Sequence, residues 1–69
     1  MRRLKELREK RRMSQVLLGM ELNMSQNTIS RYETGVREPG VSELITIADY
    51  FGVSVDYLLE RTDNPKVNT

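Results

Sequence analysis

Apolar positions along this 69-residue chain recur at three- and four-residue steps, and no stretch sustains the strict alternation of a half-buried strand. The pattern predicts an all-α fold, a compact five-helix bundle with helices at about residues 2–11, 15–22, 26–33, 41–51 and 55–60. Leu4 and Leu7 mark the inner face of the first helix. Three later helices share one start signal: an apolar residue, a serine, then an apolar residue four positions into the helix. Met13, Ser14 and Leu18 form the first set, Met24, Ser25 and Ile29 the second, and Val53, Ser54 and Leu58 the third. Each serine hydroxyl can accept from an orphan backbone N–H, and each apolar pair can form a hydrophobic staple; losing such a cap costs about 1 kcal/mol. The fourth helix follows "REPG", with Val41, Leu44, Ile45, Ala48 and Phe51 expected as its inward stripe and Gly52 as its left-handed stop. "RTDNPKVNT" holds turn residues and no apolar stripe, so residues 1–62 are expected to form one domain and 63–69 a tail.

Between the second and third helices there is almost no loop. Leu22 closes one, Asn23 can take the left-handed conformation, and Met24 and Ser25 already begin the next. So short a connection forces the axes to cross steeply, which is a helix-turn-helix arrangement. Within "SQNTISRYETG", taking Gln26 as the origin and advancing about 100° per residue groups Ile29 with Tyr32 on the buried side. Ser30, Asn27 and Arg31 fall opposite, flanked by Gln26 and Thr28. That outer face carries amides, hydroxyls and a guanidinium but no carboxylate. Side-chain amides can read adenine edges and arginine can read guanine. An ordinary solvent face would carry Glu and Lys pairs instead.

Composition narrows the alternatives. A chain this short supports one small domain and no large enclosed cavity. Cysteine and histidine are both absent, so disulfides, thiolate metal sites and the side chain that titrates near neutral pH are all missing. No Gly-rich phosphate loop, metal constellation or nucleophile with a base is present, and the sequence predicts neither an enzyme nor a bound cofactor or metal. Asp56 and Glu60, an acidic pair four residues apart, are expected to form a solvated face. No apolar run approaches the roughly 20 residues that span a bilayer, and no secretory segment follows the basic start. A soluble intracellular protein is expected. The net charge is only +1, but residues 1–12 hold seven basic and two acidic residues whereas residues 38–69 hold six acidic and two basic. That makes the chain a charge dipole in sequence.

Together, "LKELREK", "MSQ", "LNMSQNTISRYETG", "REP" and "LITIADYFGVSVDYLLERTDNP" closely resemble the phage-repressor and Cro-like (XRE-type) helix-turn-helix regulators, over Leu4 to about Pro65. The resemblance implies a lambda-repressor-like DNA-binding domain whose third helix enters the major groove. It implies base contacts by Gln26, Asn27 and Arg31, with Thr28 and Ser30 as occasional ones, and phosphate contacts by Gln15, Ser25, Thr34 and Arg37. Glu33 matches an acidic residue that pairs with an arginine of the first helix, here Arg8, as a structural ion pair. The implied function is a bacterial or phage transcriptional repressor, cytoplasmic and nucleoid-associated, that binds a double-stranded DNA operator as a homodimer. The fifth helix, with Tyr57 and Leu58, is its expected dimer surface.

The chain departs from the family pattern at three places. Arg12 stands where relatives often have glycine at the end of the first helix. Gly19 replaces a usual alanine, at a helix-propensity cost of about 1 kcal/mol. Val16, Leu17 and Met20 replace the usual Glu and Lys on the outer face of the second helix. Val16 and Leu17 there remove carboxylates from the neighbourhood of phosphates. The alternative is that the three form a contact for a protein partner, as in an antitoxin-like interaction module built on the same fold.

Overall fold

The computed structural model describes residues 1–67. Its elements are α1 (Arg2–Lys10), α2 (Gln15–Leu22), α3 (Gln26–Thr34), α4 (Val41–Phe51) and α5 (Val55–Leu58), and among the described residues there is no strand. Each helix sends one side chain into the centre. Leu4, Leu18, Ile29, Ile47 and Leu58 are all 0–1% exposed, and Met13, Leu22, Tyr32, Phe51 and Val53 close the core around them. All three serine caps form: Ser14 Oγ accepts from the Leu17 amide, Ser25 Oγ from Thr28 and Ser54 Oγ from Tyr57, at 3.0–3.1 Å. In each case the cap backbone is extended, so the chain enters its helix at a defined angle and delivers the paired apolar residue to the core.

α4 differs from its predicted stripe. Leu44, Ala48 and Phe51 face inward, but Val41 is 74% and Ile45 48% exposed, and the fully buried residue is Ile47. The inward side is centred on Leu44, Ile47, Ala48 and Phe51, and Ile45 lies about 110° from that centre. Val41, in the first turn beyond Gly40, overhangs the edge of the core. α5 also stops at Leu58, where Leu59 ends the helix and Glu60 turns to φ 62°. Leu58 itself is buried, so of the two residues expected at a dimer surface only Tyr57 keeps partial exposure.

The segment after α5 is tied down by polar contacts. Arg3, on α1, is 8% exposed. Its guanidinium donates to the carbonyls of Tyr57 and Thr62 and to the Asp63 carboxylate at 2.8–3.1 Å, and it stacks 3.9 Å from the centre of the Tyr57 ring. The Ser54 amide donates to the Pro65 carbonyl. Residues 63 and 65 of the expected tail are thus tied to α1 and to the start of α5. Positions 68 and 69 lie outside the described residues. No described helix is long and apolar enough to cross a membrane.

Candidate nucleic-acid interface

The α2–α3 turn takes the form its sequence predicts. Asn23 adopts the left-handed conformation at φ 59°, and the Met24 amide returns to the Gly19 carbonyl at 2.7 Å. Gly19 is buried against this turn. A Cβ there would stand 2.5 Å from the Met24 carbonyl oxygen, so the missing side chain lets α3 begin directly against α2. What glycine loses in helix propensity is offset here by a closer approach of two backbones.

The turn and the core fix the rotation of α3. Ile29 and Tyr32 are buried, at 0% and 2% exposure, which holds the opposite face outward. Gln26, Asn27 and Arg31 are exposed there, while Thr28 and Ser30 are half-buried at its margins. Asn27 and Arg31 have no side-chain hydrogen bond or ion pair among the described residues. The Gln26 amide nitrogen makes one long contact, 3.5 Å, to the Gln15 side-chain oxygen. α3 exposes no carboxylate, because its only acid turns inward.

That acid is Glu33, whose side chain is 3% exposed, and Arg8, at 11%, meets it in a two-pronged contact: Nε to Oε2 at 2.6 Å and Nη2 to Oε1 at 3.1 Å. Arg8 Nη1 also donates to the Met13 carbonyl at 2.7 Å, and Gln15 Nε2 donates to Glu33 Oε1 at 3.1 Å. The hydrogen bond to Glu33 raises the Arg8 pKa above its already high ordinary value, and burial opposes that rise. The guanidinium therefore stays charged. The resulting chain Arg8, Glu33, Gln15, Gln26 crosses from α1 through α3 and α2 and back to the first residue of α3. It holds the start of α2 beside the start of the exposed face.

The residues expected at phosphates are placed unevenly. Gln15, half-buried, is engaged by Glu33 and Gln26. Ser25 is exposed at the N-terminus of α3, where free amides and partial positive charge face outward, and it shares a hydrogen bond with the Thr28 hydroxyl at 2.9 Å. Thr34 spends its hydroxyl proton on its own helix, donating to the Ser30 and Arg31 carbonyls, and presents only oxygen lone pairs outward. Arg37, beyond the left-handed Gly35, is exposed and lies 5.9 Å from the Tyr32 ring centre. On the outer face of α2, Val16, Leu17 and Met20 are 50%, 42% and 74% exposed.

The basic first helix turns out differently from its appearance in the sequence. Arg2 pairs with Glu60 and, more loosely, Glu6; Arg3 pairs with Asp63, Arg8 with Glu33, and Arg11 stacks on the Tyr50 and Phe51 rings at 5.1 and 4.9 Å. Much of the sequence dipole is closed inside the molecule. Arg3 was hidden within that run of basic residues, since nothing local distinguishes a buried arginine from its solvated neighbours. The link from Gln15 to Gln26 was equally invisible, because it depends on how two helix starts meet.

A packed five-helix frame that holds an exposed, carboxylate-free α3 against a near-loopless turn defines a helix-turn-helix protein. The chain belongs to that family: the helix-turn-helix family model matches residues 4–58. Among curated relatives, it is 36% identical to the HTH-type transcriptional regulator ImmR of Bacillus subtilis (strain 168), over 97% of this chain and 53% of that protein. It is 37% identical to the HTH-type transcriptional regulator AnsR of the same organism, over 86% of this chain and 51% of AnsR. The uncharacterized HTH-type transcriptional regulator YqaE, also from that organism, is 36% identical over 93% of this chain and 55% of its own length. The chain thus spans about half the length of the curated relatives it matches. No solved structure matches it. Over that half, what the chain resembles are HTH-type transcriptional regulators.

Proposed function

We propose that the chain is the sequence-specific DNA-binding part of a transcriptional repressor, occupying an operator as a homodimer with α3 in the major groove. One observation supports this above others: α3 exposes Asn27 and Arg31 without side-chain partners among the described residues, beside a Gln26 that the buried Arg8–Glu33 pair holds through Gln15. In this reading Asn27 and Arg31 contact base edges, Gln26 does so while oriented by Gln15, and Thr28 and Ser30 contribute from the margins. Ser25, Gln15, Arg37 and the Thr34 oxygen fix the register on the phosphates. It acts by binding rather than by catalysis, on DNA in the cytoplasm.

Selection from random duplex oligonucleotides tests the proposal. The expected product is an inverted repeat whose half-sites lie about 34 Å apart, with affinity that falls steeply as salt rises. Recovery of no preferred sequence, or of a single unsymmetrical site, would overturn the operator reading or its dimeric form respectively.

A second reading has one observation in its favour, the exposure of Val16, Leu17 and Met20 together on α2. As a protein-interaction module, the chain would bind a partner protein there and DNA only secondarily. The double variant Leu17→Glu, Met20→Glu separates the two. Loss of a heteromeric complex with DNA binding retained favours the module.

A further inference from the structure

We propose that Arg12 binds a DNA phosphate and extends the interface from α2 and α3 to the turn between α1 and α2. This rests on the DNA-binding reading above and adds a contact that the family resemblance does not supply, since relatives often have glycine at this position.

The chain has eight arginines. Arg2, Arg3, Arg8 and Arg61 each face a carboxylate, and Arg3, Arg11 and Arg37 each lie over an aromatic ring. Among the described residues, only Arg12 and Arg31 have neither kind of partner. Arg31 is the guanidinium of the reading face. Arg12 is exposed, two residues before the Ser14 cap and three before Gln15. Gln15 reaches Gln26 at the start of α3, which ties the helix following the Arg12 turn to the start of the exposed face. An extended arginine side chain has the length to reach a phosphate beside that helix start, where the orphan amides of α2 already favour an anion.

The backbone at this position adds a second observation. Arg12 sits at φ 55°, the left-handed region in which a Cβ is penalised, and its amide closes α1 on the Glu9 carbonyl at 2.9 Å. Glycine would satisfy the same turn without penalty. A strained arginine with no partner in the free protein contributes nothing visible to the fold, whereas a strained cation beside an anion site has a use. Lys10, exposed at the end of α1, adds to the local positive field.

The test compares Arg12→Gly, Arg12→Asn and Arg12→Lys with the parent chain, on the selected operator duplex and on an unrelated duplex of the same length, across a salt series. Arg12→Gly is expected to raise the melting temperature by about 2 to 6 °C, as the turn relaxes. It should weaken binding to both duplexes alike, by about 3- to 10-fold at moderate salt, and flatten the slope of log affinity against log salt by about 0.9 per protomer. Arg12→Asn, which tolerates the left-handed turn but carries no charge, should reproduce the loss in affinity. Arg12→Lys should retain most of it. Unchanged affinity and salt slope in Arg12→Gly would overturn the inference while leaving the DNA-binding reading intact. A parent chain that binds neither duplex would instead remove the reading on which it rests. Loss confined to the operator duplex would also overturn it, since that would make Arg12 a base-reading residue.

Discussion

On α1, Arg3 is 8% exposed and its guanidinium is occupied by two carbonyls, a carboxylate and an aromatic ring. On α3, Arg31 is exposed and meets neither a carboxylate nor a ring among the described residues. Both lie on short helices whose other side is packed into the core. In sequence, the α1 region is the more basic, and charge density alone would nominate it as the DNA-binding surface. The structure weakens that nomination, because three of the α1 arginines, Arg2, Arg3 and Arg8, already face Glu60, Asp63 and Glu33. A cation already paired in the free protein is a fastener. One left without a partner is available to a ligand.

The fasteners should fail as stability and the readers as binding, and the size of each effect tests the division. The largest loss is expected for Glu33→Ala. It leaves Arg8 buried without its carboxylate and should reduce unfolding free energy by about 3 to 5 kcal/mol in a denaturant titration. Affinity for the operator, corrected for the folded fraction, should change far less. An unchanged melting temperature would show that the pair is not structural.

Next, Arg3→Ala removes a charged donor from two carbonyls and from Asp63, with an expected cost of about 2 to 3 kcal/mol and little change in operator affinity. Circular dichroism melts and a fluorescence anisotropy titration read the two quantities separately. If DNA affinity fell while the melt stayed put, α1 would belong to the interface after all.

Arg31→Ala should show the converse: a normal melt, binding weaker by about 1 to 3 kcal/mol, and lost discrimination at one base position. Equal weakening on every sequence would demote Arg31 to a phosphate contact. Ser25→Ala sits at the boundary of the two classes, since its hydroxyl caps α3 and also faces the expected phosphate. Stability should fall by about 1 kcal/mol, with a further small loss in binding seen at low salt. The smallest effect is expected for Val41→Thr. This exposed residue should change unfolding free energy by no more than about 0.5 kcal/mol, whereas the Ile47→Ala change one turn and a half away should cost several-fold more.

Those last two residues show where sequence reading stops. The serine caps, the left-handed Asn23 and Gly52, and the all-helical pattern were legible because each is a local preference, decided within about one turn of backbone. The direction in which α4 faces was not, because its apolar residues cover more than half of its circumference. Only contact with the other helices selects Ile47 over Ile45. The pairing of Glu33 with Arg8 was inferred from family resemblance and is present in the structure. Its extension through Gln15 to Gln26 required two helix starts in three dimensions.

Determined by the sequence alone, then, are the helices, their starts and the tight α2–α3 turn, all set by periodicity and capping over a few residues. Tertiary structure decided which charges remain available. Arg2, Arg3 and Arg8 find partners 25 to 60 residues away, and their neutralisation follows from distances that no local pattern encodes. Coulomb attraction between side chains acts through space, so the free cations of this chain become visible only once the helices have packed.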